Sequence, residues 1–179
     1  MRRFVDRAYK LPPKTDSKSL LRSLLGGTLA IFILEILTLH SGHVFMMAPF
    51  GATCVLLFAA SKSPLAQPRN VIFGHFISAL VGLVVLKAFG VSIIGTAIAV
   101  GVAICLMQIT RCVHPPAGAN PLVILLTADQ INYNWDFLLF PVISGAVALT
   151  IVAWFVNNFS SLAAWPEYWF GFLDSKNKE

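Results

Sequence analysis

The sequence predicts an all-α membrane protein of six transmembrane segments, arranged as a 3+3 inverted repeat. Three observations predict it: a composition suited to lipid, four long apolar runs, and two short Pro/Gly-started runs between them. Hydrophobic residues make up 57% and charged residues 12% of the chain, and mean hydropathy is +0.77, beyond what a water-facing surface carries. The net charge of +5 is a topology signal, because seven of the thirteen cations lie in the first 22 residues. It gives no reason to expect nucleic acid.

Residues 1–22 form a basic polar head with Pro12 and Pro13, expected on the cytoplasmic side. No cleavage site follows the first apolar run, so the first helix is expected to stay in the membrane. A spanning helix needs roughly 17–25 apolar residues; Ser23–His40, Val71–Phe89, Ser92–Thr110 and Phe137–Phe159 approach or meet that length with at most one charge each. The shorter runs Val44–Ala60 and Gly118–Ala128 are each a short tilted span, a half-helix or a re-entrant loop. Residues 160–179 combine Trp165, Tyr168 and Trp169 with a polar tail, the mixture expected of an interfacial segment. The transmembrane domain is thus residues 23–159.

An internal repeat organises that domain. Gly27-Thr28 matches Gly95-Thr96 at an offset of 68, Pro49-x-Gly51-Ala52 matches Pro116-x-Gly118-Ala119 at 67, and Ile77-Ser78 matches Ile143-Ser144 at 66. The units cover about residues 24–89 and 92–157. Counting charges decides whether the short runs cross. With six spans, twelve cations fall inside and only Lys87 outside; with four spans plus two re-entrant segments, Lys62, Arg69 and Arg111 fall outside as well. The count favours six, and three spans per unit insert the second unit upside down. Such repeats bring two half-helix N-termini toward the midplane, where free N–H groups and a positive partial charge can hold an anion.

The strongest local signal is His114-Pro115-Pro116-Ala-Gly118-Ala119-Asn120-Pro121. Two consecutive prolines forbid a continuous helix and push His114 to an extended backbone. Gly118 and Ala119 permit close approach by a ligand or a neighbouring helix. In the first unit, Pro49, Gly51, Ala52 and Thr53 occupy the matching positions. Thr53 and Asn120, each two residues past a glycine, are the expected ligand contacts; the alternative is that they cap their helices. Gln67, Arg69, His75, Arg111 and His114 flank the short segments on the inner side as a basic vestibule, with Arg69 and Arg111 alternatively headgroup anchors; His75, four residues inside its helix, is expected to relay a proton, hydrogen-bond a facing helix, or both. Glu35 lies within a long helix and is expected either to pair with Lys87 or to act as a proton-coupling carboxylate. Cys54, Cys105 and Cys112 have no paired spacing, which points to packed or free thiols.

The His114–Pro121 run, with Ala48-Pro49-Phe-Gly51-Ala52 and Ser63-Pro64-Leu-Ala-Gln67-Pro68-Arg69-Asn70 followed by Gly74-His75, resembles the HPP family of integral membrane proteins over about residues 20–160. The resemblance implies four or more transmembrane segments. Some plant chloroplast and cyanobacterial members are implicated in nitrite transport, so it also implies a small anion as substrate. The expectation is therefore a nitrite transporter or channel in a bacterial inner (plasma) membrane, with both termini cytoplasmic and membrane lipid as its surroundings. At 179 residues the chain is small for a permeation device, which predicts a homo-oligomer. A non-transporting scaffold or subunit of a larger complex is the alternative. No catalytic residues, metal ligands or cofactors are expected, since no nucleophile–base pair or metal set shows in the spacing.

Overall fold

The computed structural model describes residues 13–159 and 164–169, and all regular structure among them is helical. The parts of the predicted basic head and tail at residues 1–12, 160–163 and 170–179 lie outside the described residues. Helix α1 spans Ser17–Ser41; it starts where the Asp16 carboxylate accepts from the Ser19 N–H and ends at Gly42, whose positive φ of 73° closes the last turn. Helix α2 spans Ala48–Ala59 with Pro49 in its first turn. Helix α3 spans Pro68–Phe89 and opens on proline, whose missing N–H costs nothing there. Helix α4, Ile93–Ile109, is capped by the Ser92 hydroxyl.

The double proline acts as predicted. His114 is extended (φ −135°, ψ 100°), and a 3-10 turn over Pro115–Ala119 runs into α5 at Asn120–Leu126. The last span is not one straight rod. A 3-10 turn at Trp135–Leu138 and a π-helical stretch at Leu139–Ile143 precede α6, Ser144–Asn158. Phe140 breaks the helix (φ −128°, ψ 111°) because Pro141 follows it.

Three helical stretches are long and apolar enough to cross a membrane: Ser17–Ser41, Pro68–Phe89 and Trp135–Asn158. Ile93–Ile109 sits at the lower length limit, and Ala48–Ala59 and Pro115–Leu126 are short. At 1.5 Å per residue the two short helical segments each reach about 18 Å, well under the hydrocarbon thickness.

Packing follows a crossed pattern. Helix α3 lies against α4 and α5, while α6 lies against α1 and α2. One apolar cluster joins Ala30 and Leu34 of α1, Phe50, Leu57 and Phe58 of α2, and Leu149 and Ala153 of α6. Others join α3 to α5 through Ala79, Leu83 and Ile124, and to α4 through Val85, Ala99 and Ala103. Glycines let the backbones close up: a Cβ at Gly26 would strike Phe58, one at Gly145 would strike Phe50, and one at Gly82 would come within 2.9 Å of the Pro121 Cα.

One expectation is corrected here. Glu35 and Lys87 are both exposed and make no ion pair with each other among the described residues, because α1 and α3 pack on different neighbours. Within the 164–169 segment, Trp169 is exposed and Trp165 is docked into the protein. Trp165 is 5% exposed, joins the α1–α2–α6 cluster and donates its indole N–H to Ser61 O.

Candidate functional site

Four side chains from three parts of the chain meet inside the bundle. Thr53, in the second turn of α2, is fully buried, as are His75 of α3 and His114 at the double-proline turn; Asn120, opening α5, is 2% exposed. The Thr53 Oγ1 lies 2.8 Å from His75 Nε2 and 2.9 Å from His114 Nε2. His114 Nδ1 is 2.8 Å from Leu65 O, and Asn120 Nδ2 is 3.1 Å from His75 Nδ1 and 3.0 Å from His75 O. The two imidazoles stand edge to face at 5.1 Å, with Phe50 closing the other side of His75 at 4.9 Å.

The hydrogen positions follow from the partners. A carbonyl only accepts, so His114 carries its proton on Nδ1, and its Nε2 is an acceptor. The Asn120 amide nitrogen only donates, so His75 accepts at Nδ1 and carries its proton on Nε2, which then donates to Thr53. The Thr53 hydroxyl is left to donate to His114 Nε2, or to Pro49 O at 3.0 Å. The result is one directed chain, Asn120 to His75 to Thr53 to His114 to Leu65 O, with both imidazoles neutral. Its spare capacity is the Thr53 hydroxyl. A proton added at His114 Nε2 turns that atom into a donor to Thr53, and the hydroxyl swings to Pro49 O, so every contact is kept.

Neighbouring bonds hold the turn against α3. Asn70 Nδ2 donates to Val113 O at 2.8 Å, and the Ser78 hydroxyl donates to Ala117 O. A Cβ at Gly74 would come within 2.8 Å of the His114 Cβ, so only glycine lets α3 approach this closely. The Tyr168 hydroxyl lies 2.8 Å from both Asn70 Oδ1 and Pro64 O and donates its one proton to one of them; partial burial raises its hydroxyl pKa above the usual tyrosine value, and nearby Arg69 opposes the shift.

The sequence-predicted residues divide into four groups. Thr53, His75, His114 and Asn120 converge, with buried Pro49 and Pro116 shaping their segments. Thr53 and Asn120 are engaged with histidine instead of capping a helix. Gly51, Ala52 and Pro115 are exposed, and Gly118 and Ala119 half-buried; a Cβ at Gly51 or Gly118 meets nothing within 4 Å, so the close helix approach expected at Gly118 occurs at Gly74 and Gly82 instead. On the inner flank, Arg69 donates to Thr110 O at 2.9 Å and Arg111 O at 3.4 Å, Arg111 is exposed, and Gln67 is buried, bonded to Ser61 O, Ser63 O and the Glu167 N–H. Glu35 and Lys87 stand apart from the cluster.

Asn70, Ser78 and Asn157 were missed as polar contacts. Asn70 stands inside the Ser63–Asn70 motif, Ser78 stood out only as part of the internal repeat, and Asn157 is an amide within an apolar span whose Nδ2 bonds Leu57 O. Sequence spacing also hid the hydroxyl–imidazole contact, which joins residues 61 apart.

A bundle of apolar helices around a buried polar turn defines an integral membrane protein with a sealed intramembrane polar centre. The transmembrane region of the HPP family matches residues 12–166, and the chain belongs to that family. Two transmembrane proteins of Dictyostelium discoideum are similar to it: one is 34% identical over 89% of this chain and 54% of its own length, the other 35% identical over 89% and 59%. The chain thus spans little more than half the length of these relatives. No solved structure matches it.

Proposed function

We propose that the chain transports a small inorganic anion, nitrite foremost, across the membrane, with a proton carried through the His75–Thr53–His114 chain. The observation that carries this reading is the buried hydrogen-bonded chain itself. Ionisable side chains inside a membrane are costly and mark ion paths and proton relays, and this one takes up a proton at His114 without losing a contact. Arg69 and Arg111 lie just outside the turn and would raise the local anion concentration.

The six-span, 3+3 inverted-repeat architecture is part of the proposal. Its support is the register of the elements: Pro115–Leu126 begins and ends 67 residues after Ala48–Ala59, and Trp135 follows Pro68 by the same 67. The crossed packing also supports it, since each unit's third helix lies on the other unit's first two. Cytoplasmic termini are supported by the charge count, and a homo-oligomer by the small size of the chain.

The rival reading is a non-transporting subunit held together by the same polar chain. It is favoured by the sealing of Thr53, His75 and His114, each 0% exposed, because buried side-chain hydrogen bonds also serve as glue between membrane helices. Uptake of nitrite into proteoliposomes, with nitrate, formate, chloride and bicarbonate as competitors, separates the two. Transport predicts saturable, selective nitrite flux that disappears in the His114→Ala, Asn120→Ala variant. Absence of flux for every anion under both a pH gradient and a voltage would establish the subunit reading.

A further inference from the structure

A groove of about 1120 Å³ runs along the N-terminal half of α1 beside the end of α6. Its lower part is apolar, lined by Leu25 and Phe32, and its mouth carries Lys18, Arg22 and Lys62. The Asp16 carboxylate at the same mouth is occupied by the Ser19 N–H at the start of α1. Among the described residues, two buried polar atoms on side chains that line the groove have no hydrogen-bond partner: Arg22 Nε, a donor, and Asn157 Oδ1, an acceptor on a side chain only 2% exposed. Both residues also line an adjoining recess of about 30 Å³, about the size of one water or one oxygen substituent, next to Lys62 and Glu167.

Leaving such atoms unpaired costs free energy, and an occupant that pairs them recovers it. The occupant must present an acceptor to Arg22 and a donor to Asn157, and it must cover apolar surface in the membrane below them. We infer that the groove binds one anionic phospholipid with a hydroxyl-bearing headgroup of the phosphatidylglycerol type. The phosphodiester accepts from the Arg22 guanidinium, which is suited to phosphate oxygens, with Lys18 and Lys62 adding charge. The headgroup hydroxyl donates to Asn157 Oδ1, and an acyl chain lies along Leu25 and Phe32. Basic pockets between spanning helices are where anionic headgroups bind. This inference is independent of the transport proposal.

Native mass spectrometry of the delipidated protein, titrated with phosphatidylglycerol and phosphatidylcholine together, tests it. One phosphatidylglycerol is expected to remain bound in preference to phosphatidylcholine. Arg22→Gln is expected to lower that preference about fivefold, the effect of about one charge at a membrane surface. Lys14→Gln, the same charge change on an exposed residue outside the groove, is expected to leave it unchanged. Thr28→Trp fills the apolar part without altering charge and is expected to reduce retention of the lipid; it decides the matter if Arg22→Gln does not fold. Equal retention of both lipids, or a preference untouched by Thr28→Trp, would overturn the inference. So would stabilisation by glycerophosphoglycerol, which lacks acyl chains, equal to that given by the lipid.

Discussion

Met47 and His114 stand at the entrances of the two short helical segments in nearly the same backbone state, yet only one of them carries chemistry. Both residues are extended (φ −116°, ψ 137° and φ −135°, ψ 100°), both precede a helical segment with a proline in its first turn, and neither makes a side-chain cap bond. Thr53 and Asn120 follow them by six residues each. Met47 packs into apolar clusters beside Phe45 and Val142. His114 instead ties Leu65 O to Thr53. Forming such a turn therefore does not require a histidine, and the polar chain is placed on one side of an otherwise similar framework.

The strongest way to break this contrast is to give the second turn the residue of the first. His114→Met removes two hydrogen bonds and leaves Leu65 O short of its partner, while the Thr53 hydroxyl turns to Pro49 O. It is expected to cost about 1–3 kcal/mol, read as lowered stability to unfolding in detergent. Gly74→Ala attacks the same turn from α3. Its Cβ meets the His114 Cβ at 2.8 Å and the Cys112 carbonyl at 3.1 Å, and overpacking of this kind costs about 1–3 kcal/mol. A Gly74→Ala protein as stable as wild type would mean that the turn is not clamped between α2 and α3.

Thr53→Val keeps the side-chain shape and deletes the hydroxyl, so His75 Nε2 and His114 Nε2 lose their shared partner. A loss of about 1–3 kcal/mol is expected, with Thr53→Ser recovering most of it. On the apolar side, Met47→Leu conserves volume and is expected to cost less than about 1.5 kcal/mol. Gly51→Ala and Gly118→Ala add a methyl into open space and are expected to stay within about 0.5 kcal/mol of wild type. That pair sharpens the question of where the anion binds: loss of nitrite uptake with unchanged stability would put the anion against those glycines, and unchanged uptake would put it elsewhere.

Much of the framework was legible because lipid imposes it. Apolar length marks the long helices and proline and glycine mark where they stop, although α1 starts at Ser17, inside the predicted polar head, and α6 starts at Ser144, well after Phe137. The kink at Phe140 was not anticipated, although the following proline is its cause. The members of the polar chain were each visible as a polar residue in a distinctive motif, and the 67-residue register set Thr53 against Asn120. Their junction at His75 was not visible, because it depends on how three segments pack. The failed Glu35–Lys87 pair has the same origin: the positions of two charges along their helices say nothing about which helices are neighbours. The docking of Trp165 was not visible either, because composition is the same for an aromatic facing lipid headgroups and one packed against other helices.

The central claim is that the His75–Thr53–His114 chain moves a proton with the anion. Its most direct test records nitrite uptake and internal pH together in proteoliposomes containing wild-type, Thr53→Val or Thr53→Ser protein, each shown to be folded. Proton movement that accompanies nitrite in the wild type and the serine variant and is lost in the valine variant is the predicted result. Proton-coupled nitrite uptake that persists undiminished in Thr53→Val would contradict it.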